Sequence, residues 1–190
     1  MSIVLLGSTS GSCTLQEQAV AGTTTLTLPT FNGTVSLLVN DTAKTASGSS
    51  VDFTSIPAGV RRITVTMTDI SFAAAGVSRI RVGTSGGLVS SGYVSAVTSI
   101  GTTPSVAVTS VTDGLAQLNT GAAATVVTGQ FIIVNITGNT WQSSGFITRL
   151  ADTNTTFSTG YIALGGTLDR LSLVATTSTF DAGTINILYE

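Results

Sequence analysis

A chain of 190 residues that is 42% hydrophobic can build one core, which excludes a disordered chain. Only 8% of residues are charged and the net charge is −2, which argues against nucleic acid as a partner, since phosphate binding needs clustered Lys and Arg. Ser and Thr supply roughly a third of the chain where a quarter of charged residues is usual, so the surface is built from hydroxyls, Asn and Gly and suits an assembly or particle better than a free cytosolic enzyme.

The chain opens on Met1 to Gly7, which lacks the basic region of an export signal, and no apolar run reaches the length of a membrane helix. Neither export nor membrane insertion is expected. Ile3–Leu6, Gly11–Leu15, Ala19–Pro29 and Gly33–Leu38 read as short strands punctuated by Gly and Pro. Together they are too small for a core of their own, so they must pack on the main domain, on sister subunits or on a particle. Subunits or a particle are expected, with Leu5, Leu15, Leu26 and Leu28 as the apolar contacts. Asn40–Ser50 has no periodicity and reads as a linker holding the only lysine, Lys44. The expected division is an N-terminal arm over 1–45 and a main domain over 46–190.

The clearest strand is Val60–Thr68, where Ile63, Val65 and Met67 alternate with threonines. Arg61 and Arg62 precede it, with one of the pair free to point inward. Further strands are expected at Ser78–Val82, Tyr93–Val97, Ser105–Thr109, Val126–Ile136, Gly145–Ile147 and Tyr161–Leu164, with Gly-rich turns between them. Leu115–Ala124 is the only helical candidate, and Thr120 and Gly121 oppose it. From Thr167 to Glu190 the chain reads as two strands joined by a turn. Leu171 and Leu173 share one face, as do Ile185, Ile187 and Tyr189, and Asp181-Ala182-Gly183 carries turn residues. The spacing predicts an all-β fold, an antiparallel β-sandwich or jelly roll preceded by a short-stranded N-terminal arm.

Chemistry is sparse. The chain has no histidine, which removes the commonest general base and zinc ligand. Cys13 has no His partner to activate it, and a Ser–Lys pair would have to use Lys44. The nine carboxylates, Glu17, Asp41, Asp52, Asp69, Asp113, Asp152, Asp169, Asp181 and Glu190, are scattered beside turn residues without calcium-loop spacing. No catalytic residue, cofactor or metal is therefore expected; a carbohydrate-active enzyme stays open only through a carboxylate pair across a cleft. Arg79 and Arg81 project to one face, two residues apart. They read either as solvated edge residues or local partners of Asp169 and Asp69, or as contacts to a sister subunit or an acidic patch on a particle. Trp141, in a polar loop or strand end, reads either as a packing residue or as a glycan platform with Tyr93 and Tyr161 as companions.

Three stretches carry a resemblance. Gly166-Thr167-Leu168-Asp169-Arg170 followed by Phe180–Glu190, the run Phe53–Val65, and Ala19-Val20-Ala21-Gly22-Thr23-Thr24-Thr25-Leu26-Thr27-Leu28-Pro29 resemble virion structural and tail-fibre-type proteins of tailed bacteriophages. The resemblance covers no catalytic motif. It implies a structural protein on the particle surface, assembled in the host cytoplasm as a homotrimer. Other virion proteins, of the tail and baseplate or the major capsid protein, would be its partners. As a short tail fibre or adsorption protein it would bind host surface glycan through several weak sites. As a head decoration or cement protein it would bridge capsomers.

Overall fold

In the computed structural model, which describes residues 2–6, 12–16, 37–101, 106–123, 125–151 and 154–190, every regular element is a β-strand. The described strands are β1 (Ser2–Leu6), β2 (Ser12–Gln16), β3 (Val39–Asn40), β4 (Lys44–Thr45), β5 (Ser50–Phe53), β6 (Arg62–Phe72), β7 (Val77–Thr84) and β8 (Gly87–Leu88). They continue as β9 (Val94–Ile100), β10 (Val106–Val111), β11 (Ala116–Asn119), β12 (Val127–Thr137), β13 (Thr140–Arg149), β14 (Thr155–Ala163), β15 (Arg170–Thr177) and β16 (Phe180–Tyr189). The chain divides into two units, Met1–Val35 and Ser36–Glu190.

In the first unit β1 and β2 pair antiparallel, placing Leu5 opposite Cys13 and Ile3 opposite Leu15. The expected strands over residues 19–29, with Leu26 and Leu28, lie outside the described residues.

The second unit is an antiparallel β-sandwich. Its larger sheet runs β10-β9-β14-β13-β12-β6-β16-β3, with β4 also on β16; the smaller runs β11-β7-β15-β5, with β8 also on β7. The alternation in β6 is realised as expected: Ile63, Val65 and Met67 are buried while Thr64, Thr66 and Thr68 face away. They meet Phe131 and Ile133 of β12 and Ile185 and Ile187 of β16 in one apolar cluster. Val51, Phe53, Ile80, Val82, Leu171 and Leu173 of the smaller sheet close it from the other side. Burial of a side chain of this size contributes about 1.5–3 kcal/mol, so this shared cluster is what holds the two sheets together.

Several local expectations change. Residues 39–45 are no linker: β3 and β4 add to the edge of β16, and Lys44 lies over the Phe53 ring, its ammonium donating to the Asp52 carbonyl. The unit boundary accordingly falls at Ser36, ahead of the expected one. The two terminal strands belong to different sheets, so the turn at Ser178 (φ 64°) carries the chain across the sandwich. Gly183 is no turn residue. It sits in a bulge of β16 opposite Asp69 (φ 55°), where a Cβ would come within 2.6 Å of the Asp69 carbonyl oxygen. Leu115–Ala124 contains the strand β11 in place of a helix, and Arg61 and Arg62 are both exposed. Arg62 is held at 2.7 Å by Glu190.

Candidate functional site

Three neighbouring strands of the larger sheet reverse the usual polarity. In β14 the inward positions are Thr156, Ser158, Gly160 and Ile162, and the outward ones include Phe157, Thr159 and Tyr161. In β13, Ser143 points inward with Trp141 and Ile147, while Phe146 points outward. In β9, Ser95 and Val97 point inward and Val94 outward. Backbone lies over Ser95, Ser143 and Gly160. The segment leading into β11 enters between the sheets, where the Leu115 N–H donates to Ile80 of the smaller sheet at 2.8 Å. Ser95 donates to the Gly114 carbonyl at 2.8 Å and Ser143 to the Leu115 carbonyl at 3.0 Å, so the buried hydroxyls satisfy that intruding backbone. At Gly160 a Cβ would sit 2.6 Å from the Leu115 carbonyl oxygen, which is why no side chain is carried there.

The apolar residues displaced from the interior form the outer face. Register groups them into rows across β9, β14 and β13. Val94, Tyr161 and Gln142 form one row, Ala96, Thr159 and Ser144 the next, and Thr98, Phe157 and Phe146 the third. On β10, Ser110 extends the middle row and Val108 the third. Tall side chains thus flank a low row whose members are Ser110, Ala96, Thr159 and Ser144. Two adjoining cavities of about 500 and 390 Å³ result, sharing Ala96 and Thr159. Three aromatic rings line them: Tyr161 is 42% exposed, Phe157 48% and Phe146 44%. Phe146 and Phe157 are directly opposed across the strands, their centroids 6.4 Å apart. None of the outward residues of β9, β13 and β14 is charged.

Charge gathers on the outer face of the smaller sheet. Arg79 Nε lies 2.7 Å from Asp113 Oδ1, and Arg81 Nη2 2.9 Å from Asp113 Oδ2. Arg81 Nε also donates to the Asp113 carbonyl at 2.7 Å. The expected partners Asp169 and Asp69 are therefore replaced by Asp113, because the loop before β11 folds back over β7. Asp169 instead pairs with Arg170 at 2.8 Å. Burial pushes the Asp113 carboxyl up, but the two guanidiniums outweigh it and hold the group below its ordinary value. Asp52 accepts from Ser172 and Ser50, and Asp181 from Ser71. Among the described residues no three His, Cys, Asp or Glu side chains converge as a metal site would require.

The expected glycan platform is not assembled as the sequence suggested. Trp141 lies within β13 and is 4% exposed, and Tyr93 is 1% exposed, so neither offers a ring face. The Tyr93 hydroxyl accepts from the Val82 N–H at 3.0 Å and lies 2.9 Å from the Val89 carbonyl oxygen, tying the start of β9 to the smaller sheet. Burial pushes its phenol up to about 12. Tyr161 alone of the three stands on the surface. Phe146, Phe157, Thr159 and Gln142 were missed; the available signal was the alternation of β14 and β13, legible only with its polarity reversed. No family model matches this chain, nor does any curated protein or solved structure.

Proposed function

We propose that the chain is a non-enzymatic structural component of a tailed-bacteriophage virion, a homotrimeric surface appendage of the short tail-fibre or adsorption type. The observation that carries this reading is the reversed polarity of β9, β13 and β14. A contiguous, uncharged face bearing three exposed aromatic rings is a surface made to meet something. The first unit supports the attachment half of the reading. Its described strands β1 and β2 form a separate two-stranded sheet, and in this reading that unit is the part that meets sister subunits or the particle.

The strand order supports a jelly roll. Take β5, β6, β7, β9, β10 and β11 as first to sixth strands, the β12–β14 meander as seventh and β15 as eighth. The smaller sheet then runs first, eighth, third, sixth, and the larger, from β6 to β10, second, seventh, fourth, fifth, with β16 and β3 lying beyond β6 outside this numbering. We read that interleaving as a jelly-roll order, an architecture that capsid and lectin domains share, which is an analogy of fold alone.

The test is to locate the chain on intact particles by cryo-electron microscopy. A trimer projecting from the tail or baseplate is the expected result. Density seated between capsomers would make it a cement protein, and particles without the chain would end the virion reading.

A further inference from the structure

We infer that the trough on the outer face of β10, β9, β14 and β13 binds a neutral oligosaccharide, lying across the strands between the Tyr161 row and the Phe157 row. This rests on the adsorption reading for the source of the ligand, and on the geometry for the site.

The floor is Ser110, Ala96, Thr159 and Ser144, all exposed, three of them hydroxyls that both donate and accept. One wall is Tyr161, Val94 and Gln142; the other is Phe157, Phe146 and Val108. Four residues separate Phe157 from Tyr161 on β14, so the wall rows stand about 13 Å apart along the strands. Four strands give a floor of about 14 Å, enough for a few pyranose rings in line. Apolar ring faces beside neutral hydroxyls and an amide match a sugar, which presents C–H faces and hydroxyl edges.

Charge and backbone decide against other occupants. The outward residues of β9, β13 and β14 include no Lys or Arg, so an anionic glycan or a phosphate meets no cation there. A peptide docking by strand addition would lie along the edge strand β10, beside the trough and parallel to its strands, whereas β9, β14 and β13 each have ladder partners on both sides and offer no backbone across the floor. Across β9, β14 and β13 only side chains are left to recognise a ligand lying over the strands, and these include hydroxyls, one amide and aromatic rings.

The experiment is calorimetric titration of the 190-residue chain. The probes are neutral hexasaccharides of glucose, mannose, galactose, rhamnose and N-acetylglucosamine, with a hyaluronan hexasaccharide as the anionic comparison. At least one neutral probe is expected to bind. Tyr161→Ala should weaken it about tenfold or more, Thr159→Lys should abolish it by filling the floor, and Tyr161→Phe should retain it. Circular dichroism and solution mass establish that each variant keeps its fold and oligomeric state. The inference is overturned if no neutral probe binds, if only hyaluronan binds, or if Tyr161→Ala and Thr159→Lys leave affinity unchanged. It is also overturned if these substitutions split the oligomer, since the face is then a subunit interface. A chain found on the particle that binds no probe removes the trough and leaves the virion reading standing. Binding by a chain absent from the particle does the reverse.

Discussion

Trp141 shows how burial decides the role of a residue. Its indole packs in the shared core, and the Nε1–H finds no hydrogen-bond partner among the described residues. Trp141→Ala is expected to cost about 3–5 kcal/mol through lost burial and a cavity. Trp141→Phe should cost clearly less, since it keeps an apolar ring and removes an unpaired buried N–H. Urea unfolding of both variants checks this order, and equal losses would remove the argument. Asp113 carries a pH dependence in the acid range. With its folded-state pKa held below the unfolded value, its stabilisation is complete above the unfolded pKa of about 4 and is lost as pH falls through the folded one. Asp113→Asn should therefore be less stable than the parent at pH 7, and the difference should narrow below about pH 4. Unfolding midpoints of the two proteins at pH 7 and pH 3 give the answer; a constant gap would mean that the carboxylate charge is irrelevant.

The elements divide by what lies above them. Strands β6, β12 and β16 face a sheet across a full core and carry large apolar residues inward, a pattern that reads directly from period-2 alternation. Strands β9, β13 and β14 lie under the intruding Gly114–Leu115 backbone and carry Ser95, Ser143 and Gly160 inward. Their alternation survives, but apolar residues stand on both faces: Val97, Trp141, Ile147 and Ile162 are inward while Val94, Phe146, Phe157 and Tyr161 are outward, so hydrophobicity alone does not say which face is buried. Gly145–Ile147 and Tyr161–Leu164 were legible only as fragments of β13 and β14, and the trough was not legible because the choice of face depends on the backbone that lies over the strands. Gly160 tests the cause. Gly160→Val should destabilise by about 1–3 kcal/mol or more, because the side chain meets the Leu115 carbonyl and the Ser95 hydroxyl. Thermal unfolding measures it, and an unchanged midpoint would show that the segment before β11 yields freely.

At the scale of the molecule, the apolar cluster runs from Ala46 to Ile187 and draws on both sheets of the second unit. A chain of residues 36–190 is therefore expected to unfold cooperatively, with a midpoint within a few degrees of that of the 190-residue chain, and to have the mass of a monomer. Calorimetry and light scattering test the two halves separately; a trimer that persists without residues 1–35 would move the assembly surface into the sandwich. Composition and alternation alone determined an all-β sandwich with a poorly charged surface, because apolar periodicity and β-branched content are local properties. They also determined that Ile63, Val65, Met67, Ile185 and Ile187 are core. Only the tertiary structure decided that the terminal strands separate into different sheets, since a short turn serves a hairpin and a crossing equally well. The same holds for Asp113 as the partner of both arginines and for the exchange of Trp141 and Tyr93 for Phe146 and Phe157 on the surface. Each depends on which distant backbone lies over a strand, and no local pattern carries that information.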